Sequence, residues 1–358
     1  MTFNFSAGPS ALPRSIIEEA RDQLVDYAGT DMSLIEMSHR GAEYSEVHDE
    51  AVSLARTVFG VPDDFSVLFL QGGATLQFSM VPMNLLQDGA SGAYVLSGAW
   101  GKKAYADAPH YGDAYVAWDG ESAGYARMPR PAELELKEGT RYLHVTSNET
   151  IHGIQMVEWP DLGVPLVADM SSDMISRAIP WERFDLVYGG AQKNLGPAGA
   201  AIVFVRDMAL ESQNRDLGMY LRYDVHARGN SLYNTPPMFV IWMIGKMLRW
   251  VRDQGGLDAM EAAAQSKAAA LYGAIDASEG FYTSPVEPGS RSLMNVVFRL
   301  QSDELTGAFL EASAAAGLVG LKGHRDVGGV RASIYNAVST EAVSALADFM
   351  VEFKAERG

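Results

Sequence analysis

From residue 65 onward, short apolar runs alternate with helical patterns, and a glycine-rich or polar turn follows each run. Val67-Leu-Phe-Leu70 reads as a buried strand, Gln71-Gly-Gly-Ala-Thr75 as a tight turn, and residues 76–86 as a helix interrupted or adjusted near Pro82. Residues 93–96 form the next strand, with a helix starting at Trp100 just after the Ser97-Gly98 turn. Residues 142–146 and 164–169 add two more apolar runs, and 185–190 and 200–205 flank a glycine-rich loop. Repeated units of this kind build a mainly parallel sheet covered on both faces, because parallel strands must be joined by crossovers. Ligands of open α/β sheets sit at the carboxyl ends of the strands. The turns are therefore where chemistry is expected.

Each turn carries something usable. Free N–H groups at the start of the helix after Gly72-Gly73, with the helix dipole behind them, make an anion site, although Gly-Gly turns also serve close packing alone. Trp100 is either a core residue or a flat platform at the strand end. The loop Thr146-Ser-Asn-Glu-Thr-Ile-His-Gly153 supplies hydroxyl and amide groups on the same edge. Asp169 closes its strand either as a cap for the next turn or as an acid aimed at a ligand, and the residue alone leaves both open. Lys193, within Gly190-Ala-Gln-Lys-Asn-Leu-Gly196, is a lone ammonium between two buried strands. Such a lysine is paired, exposed, or kept for chemistry, since burial lowers its pKa and frees the amine as a nucleophile.

Composition narrows the classes. With 358 residues the chain exceeds one ordinary domain, and the expected division is an N-terminal arm (1–14), a large domain (15–255) and a smaller C-terminal α+β domain (256–358), broken at Gly255-Gly256. A formal net charge of -17 disfavours nucleic acid. Small anions remain possible, held by a few arginines, histidines and helix starts at short range. No apolar run approaches a membrane span and the first residues lack a signal-peptide pattern, so the expected location is cytoplasmic, with no membrane partner. The chain has no cysteine, which removes disulfides, thiolate metal sites and cysteine nucleophiles; no metal is called for.

The remaining stretches add cations. Met37-Ser-His-Arg-Gly41 places His39 and Arg40 just before a helix with Tyr44, Val47, Ala51, Leu54 and Val58 at helical spacing. On its own Arg40 is better explained as a loop residue bridging to a neighbouring carboxylate. Asn234-Thr-Pro-Pro237 precedes an aromatic-rich helix (238–251) expected at a domain or subunit boundary. In the C-terminal part, helix (257–275), strand (295–300), helix (303–316), strand (330–335) and a last helix from residue 339 or 340 carry His324, Arg325 and Arg331 on or beside strands.

An acid, an aromatic, a phosphate cradle and a lysine at neighbouring strand ends together answer the needs of pyridoxal 5'-phosphate. The lysine forms the Schiff base, the acid keeps the pyridine nitrogen protonated, the aromatic stacks on the ring, and backbone amides hold the phosphate. End to end, the chain resembles the phosphoserine aminotransferase family, in the fold type I class of pyridoxal-phosphate enzymes. The residues that carry the resemblance are Phe3-Asn-Phe-Ser-Ala-Gly-Pro9, Ser38-His-Arg-Gly41, Gln71-Gly-Gly73, Asn148-Glu-Thr150, Ala168-Asp169, Gly190-Ala-Gln-Lys-Asn194, Asn234-Thr-Pro-Pro237, Lys322-Gly-His-Arg325 and Gly329-Val-Arg-Ala-Ser-Ile-Tyr-Asn336.

The resemblance implies a large domain built on a seven-stranded sheet and a homodimer with shared active sites. It implies that Lys193 is the Schiff-base lysine, that Asp169 pairs with the pyridine nitrogen, that Trp100 stacks on the ring and that Thr150 hydrogen-bonds the ring oxygen. Phosphate would be held by the amides of Ala74 and Thr75, by Gln192, and by Asn234 and Thr235 reaching across from a partner subunit. Arg331 would clamp the substrate's α-carboxylate. His39 and Arg40, with His324 and Arg325 of the other subunit, would bind the substrate phosphate or glutamate's side-chain carboxylate, a task suited to arginine forks. The implied reaction is ping-pong transamination from L-glutamate to 3-phosphohydroxypyruvate, giving 2-oxoglutarate and O-phospho-L-serine, in serine biosynthesis. The family's second substrate, 4-phosphohydroxythreonine, belongs to pyridoxine biosynthesis. Two positions depart from some members: Thr75 stands where they have arginine, and Ala7 where they have a second serine. The alternatives are an alanine:glyoxylate-type aminotransferase, which has no use for paired His-Arg motifs, and a non-catalytic cofactor- or phosphate-binding protein. A cysteine desulfurase is excluded, because its persulfide needs a cysteine.

Overall fold

In the computed structural model, which describes residues 2–86, 89–211 and 216–358, the described residues form one seven-stranded sheet, a smaller three-stranded one and two two-stranded pairs. The large sheet has the spatial order Phe65–Leu70, Ala201–Arg206, Phe184–Gly190, Leu166–Asp169, Thr140–Thr146, Ser91–Leu96 and Asp113–Asp119. Six strands run in one direction; Ala201–Arg206 alone is antiparallel to both of its neighbours. The inner strands are buried on both faces, which is why they read as continuous apolar runs rather than alternating ones. The edge strand Asp113–Asp119 lies outside the sequence expectation. It buries Tyr115 and Ala117 and leaves Val116 exposed, as a half-solvated edge does.

Helix Gly73–Leu85 follows the first strand and runs through Pro82, so of the two expectations there, an interruption or an adjustment, the interruption does not occur. Proline removes only the amide that would bond the Phe78 carbonyl, and Pro82 is itself buried among apolar neighbours that hold the helix in place. Helix Met238–Asp253 packs against Ala42–Phe59, and Ile241, Ile244, Met247, Leu248 and Val251 join the core on that face of the sheet. A six-residue helix, Tyr223–Arg228, to which no element was assigned from the residues, buries Tyr223, Val225 and His226.

A second apolar core lies in the C-terminal part. Strands Tyr282–Thr283, Asn295–Leu300 and Val330–Ser333 form an antiparallel sheet covered by helices Gly256–Asp276, Asp303–Ala315 and Thr340–Arg357, with Phe298, Phe309, Leu346 and Met350 at its centre. The first residues belong to this core. Phe3–Asn4 pairs in parallel with Leu318–Val319, Phe5 is fully buried there, and its carbonyl accepts from the Ser333 amide. The chain then crosses to the large sheet: Tyr335 donates through its hydroxyl to the Ala7 carbonyl at 2.8 Å, and the Ser10 amide donates to the Gln192 carbonyl at 3.2 Å.

Candidate active site

Four turns meet at one edge of the large sheet. Each follows the carboxyl end of a parallel strand, and the last, the loop of 191–200, leads through Ala198-Gly199 into the antiparallel strand, whose start lies on that same edge. They enclose a cavity of about 300 Å³ lined by Gly72, Gly73, Ala74, Thr75, Trp100, Asp169, Ser171, Gln192 and Lys193, among others. A larger cavity, about 730 Å³, opens at the opposite edge, but its arginines are already ion-paired: Arg141 with Asp185, Arg206 with Asp64 and Asp185, and Arg183 with Asp161 and Glu182. The smaller cavity holds the unspent groups.

Lys193 is buried, and its Nζ donates to Thr150 Oγ1 at 2.7 Å and lies 4.9 Å from the centre of the Trp100 ring. Burial pushes the amine's pKa below its ordinary value, while the negative charges of Asp169 and Glu149 push back and Arg331 lowers it further. Its loop is braced by the N-terminal arm. Ser10 donates through Oγ to the Lys193 carbonyl, and a Cβ on Gly8, where φ is +148°, would stand 3.3 Å from Lys193 Cγ. Asp169 is buried too, and its carboxyl is raised by burial and held down by Lys193 and by Ser171. Both hydrogen bonds it accepts fall on Oδ1, from Ser171 N at 2.9 Å and Ser171 Oγ at 2.5 Å; among the described residues none falls on Oδ2.

The glycine turn is shaped by backbone. Gly72 caps helix Gly73–Leu85 at φ +84°, and a Cβ there would lie 2.6 Å from Leu76 Cβ. No side chain caps this helix; its first in-line bond is from the Leu76 amide to the Gly72 carbonyl. The amides of Gly73, Ala74 and Thr75 are thus left for a ligand. Gln71, one step earlier, accepts from Asn234 Nδ2 at 3.0 Å and from the Tyr220 hydroxyl at 3.0 Å. Asn234 and exposed Thr235 therefore stand on the outer side of the turn and do not line this chain's own cavity.

The cations are distributed unevenly. Arg331, opposite Val297 in the small sheet, is half-buried and donates through Nη1 to the Thr150 carbonyl at 3.4 Å, while its buried Nε has no partner among the described residues. Half-buried His39 and exposed Arg40 sit in the turn before helix Ala42–Phe59. His324 is partly exposed, and Arg325 projects into solvent with its side chain 91% exposed. None of these last four lines the cavity.

Three residues without an assigned role in the sequence reading stand close to these groups: Ser171, Ser10 and Glu149. Glu149 is fully buried and accepts from the amides of Trp100 and Gly101. Ser171 was legible only as a polar residue two places after Asp169.

Residues 2–346 match the family model described as aminotransferase class-V. The chain belongs to the class-V aminotransferase family. It is 50% identical over 353 residues to a phosphoserine aminotransferase of Lysinibacillus sphaericus, with 98% of each chain covered. Its fold superimposes with a TM-score of 0.97 on the phosphoserine aminotransferase of Bacillus circulans subsp. alkalophilus, at 49% identity over 100% of this chain and 99% of the other. A pyridoxal-phosphate-bound phosphoserine aminotransferase from Trichomonas vaginalis gives 0.93 at 35% identity, covering 98% of this chain and 100% of that one. These matches cover 98–100% of the class-V aminotransferase.

Proposed function

We propose that this aminotransferase is a phosphoserine aminotransferase, moving an amino group from L-glutamate to 3-phosphohydroxypyruvate through pyridoxal phosphate at Lys193. One observation carries the reading: a buried lysine amine with a depressed pKa, 2.7 Å from Thr150 and beneath Trp100, faces a cavity whose other walls are a free carboxylate oxygen and three free amides. These groups fit the cofactor. The amides of Gly73, Ala74 and Thr75 suit a phosphate, Gln192 adds a side-chain donor, Asp169 Oδ2 suits a ring N–H, and Trp100 offers a face for stacking. Pyridoxal phosphate, when bound, supplies a carbonyl carbon for amines and a ring that takes up the electron pair freed at the substrate's α-carbon.

The chain's own residues do the rest. Burial keeps a share of Lys193 neutral, so Nζ is both nucleophile and the base that takes the proton from the α-carbon. Thr150 Oγ1, hydrogen-bonded to Nζ, orients it. Arg331 presents a guanidinium edge for the α-carboxylate, and its partnerless Nε is the donor left over for it. The relatives' substrate brings a phosphate, and the two His-Arg pairs, His39-Arg40 and His324-Arg325, are the cations assigned to it. We assign the second pair, with Asn234 and Thr235, to the partner's site in a homodimer, and the division into an arm, a domain over 15–255 and a domain over 256–358 to this same reading. Among the described residues no helix is long and apolar enough to cross a membrane; we place the enzyme in the cytoplasm.

The test is spectroscopic. Purified protein loaded with pyridoxal phosphate is expected to lose its visible absorbance on adding glutamate and to regain it on adding 3-phosphohydroxypyruvate. Lys193→Ala is expected to fold, lack that absorbance and show no turnover. Recovery with unphosphorylated oxoacids at equal efficiency, or full activity of the variant, would sink the proposal.

A further inference from the structure

Glu149 is a buried carboxylate for which the proposed reaction has no use, and burying a carboxylate is costly unless its oxygens are satisfied. Both are. Oε1 accepts from the Gly101 amide at 2.8 Å and Oε2 from the Trp100 amide at 3.1 Å. These amides open helix Ala99–Asp107, which has no side-chain cap of its own, so the carboxylate meets the positive end of a helix dipole. The approach needs two glycines. A Cβ at Gly98 would lie 2.7 Å from Glu149 Cδ and 2.6 Å from His152 Nδ1, and one at Gly101 would lie 2.6 Å from the Val95 carbonyl.

The neighbouring residues extend the grip. Thr150 takes Lys193 Nζ on its hydroxyl and Arg331 Nη1 on its carbonyl. Asn148 anchors the other side, donating to Ser172 Oγ and Asn295 Oδ1 at 2.8 Å each and accepting from Ser292 Oγ at 2.6 Å. Resting on the assignment of Lys193 as the reacting amine, we propose that Glu149 is a positioning residue: it locks the start of the Trp100 helix to the segment that orients Lys193, and sets a second negative charge beside Asp169 near that amine.

Charge supports the geometry. The negative charges of Asp169 and then Glu149 raise the Lys193 amine against its burial, with Arg331 opposing and Asp173 adding a little. Glu149's own carboxyl is raised by burial to about 7, restrained by the Gly101 and Trp100 amides and by Lys193, with Asp169 raising it further. Its occupancy by a proton therefore changes near neutral pH.

The experiment uses Glu149→Gln and Glu149→Asp in the full-length protein, stripped of pyridoxal phosphate and reloaded across pH 6 to 10 with absorbance as the readout. Glutamine keeps the size, loses the charge and turns one acceptor into a donor facing an amide. Its uptake-rate midpoint is expected to move about one unit to lower pH, the low end of what a nearby charge contributes. In the loaded enzyme kcat is expected to fall roughly tenfold to a hundredfold with little change in KM, as misplaced reacting groups cause. Aspartate keeps the charge and is expected to keep the midpoint while losing kcat. A glutamine variant with the wild-type midpoint, including one that is merely less thermostable, overturns the proposal; if that variant does not fold, an aspartate variant with wild-type kcat does so. Wild-type protein that takes up no cofactor at any pH refutes the Lys193 assignment itself, and the proposal with it.

Discussion

Replacing Lys267 by methionine is expected to destabilise the enzyme by an amount that grows with pH. Lys267 lies on helix Gly256–Asp276, is 3% exposed, and donates through Nζ to the carbonyls of Ile334, Tyr335 and Val338 at 2.9, 2.7 and 2.9 Å. Those carbonyls belong to the turn after strand Val330–Ser333, whose Asn336 amide donates to Asn194 Oδ1, beside Lys193. All three carbonyls lose this donor in the variant; Tyr335 O keeps the Val338 amide, so those of Ile334 and Val338 are left unmet, at about 1–3 kcal/mol each. Removing a buried ammonium offsets part of this. Burial lowers the amine's pKa from 10.5 to about 8, a cost of about 3 kcal/mol at pH 7 in carrying the charge. With the middle of that range at both carbonyls, about 4 kcal/mol, less about 3, the net deficit at pH 7 is on the order of 1 kcal/mol. Because the folded pKa lies below the unfolded one, the unfolded chain holds a proton that the folded chain has lost between about 8 and 10.5, and wild-type stability rises across that window. By pH 9.5 about 2 kcal/mol of the charge cost is gone from the wild type, and the variant has no such term. Urea denaturation of both loaded proteins at pH 7 and 9.5, followed by circular dichroism with matched slopes, reads the difference. A deficit that stays constant or narrows as pH rises would refute the reasoning.

Gly72→Ala places a left-handed alanine at the cap of helix Gly73–Leu85 with its Cβ against Leu76, and is expected to cost at least about 1–2 kcal/mol, seen as a lower melting temperature and a higher Kd for pyridoxal phosphate. Arg331→Lys keeps the charge and loses the fork; KM for glutamate is expected to rise roughly tenfold to a hundredfold, the size of one or two charged hydrogen bonds, with the melting temperature little changed.

What was legible in the residues, and what was not, divides by the kind of partner involved. Lys193, Asp169 and Trp100 could be singled out because strand and turn signals place them at one sheet edge, and the fold brings these three together around one cavity. The direction of the Ala201–Arg206 strand was not legible, since an apolar run is the same read either way and its orientation follows from the short loop of 191–200 that turns back on Phe184–Gly190. Glu149 was passed over for a related reason. Its partners are backbone amides 48 and 49 residues earlier in the chain, and an amide leaves no trace in residue type. The trace it does leave is indirect: glycine at 98 and 101, where any side chain would collide with Glu149, His152 or the Val95 carbonyl. The same holds for Gly8 against Lys193, where residues 1–14 were legible as an arm but not as a brace. A polar residue whose partners are main-chain atoms is thus best sought through the glycines that make room for it. By that criterion the Gly98-Ala-Trp-Gly101 turn and Glu149 form a single unit, and a Gly98→Ala variant is expected to resemble Glu149→Asp, keeping the uptake midpoint while losing kcat, because it pushes the same carboxylate off the same two amides and leaves its charge in place.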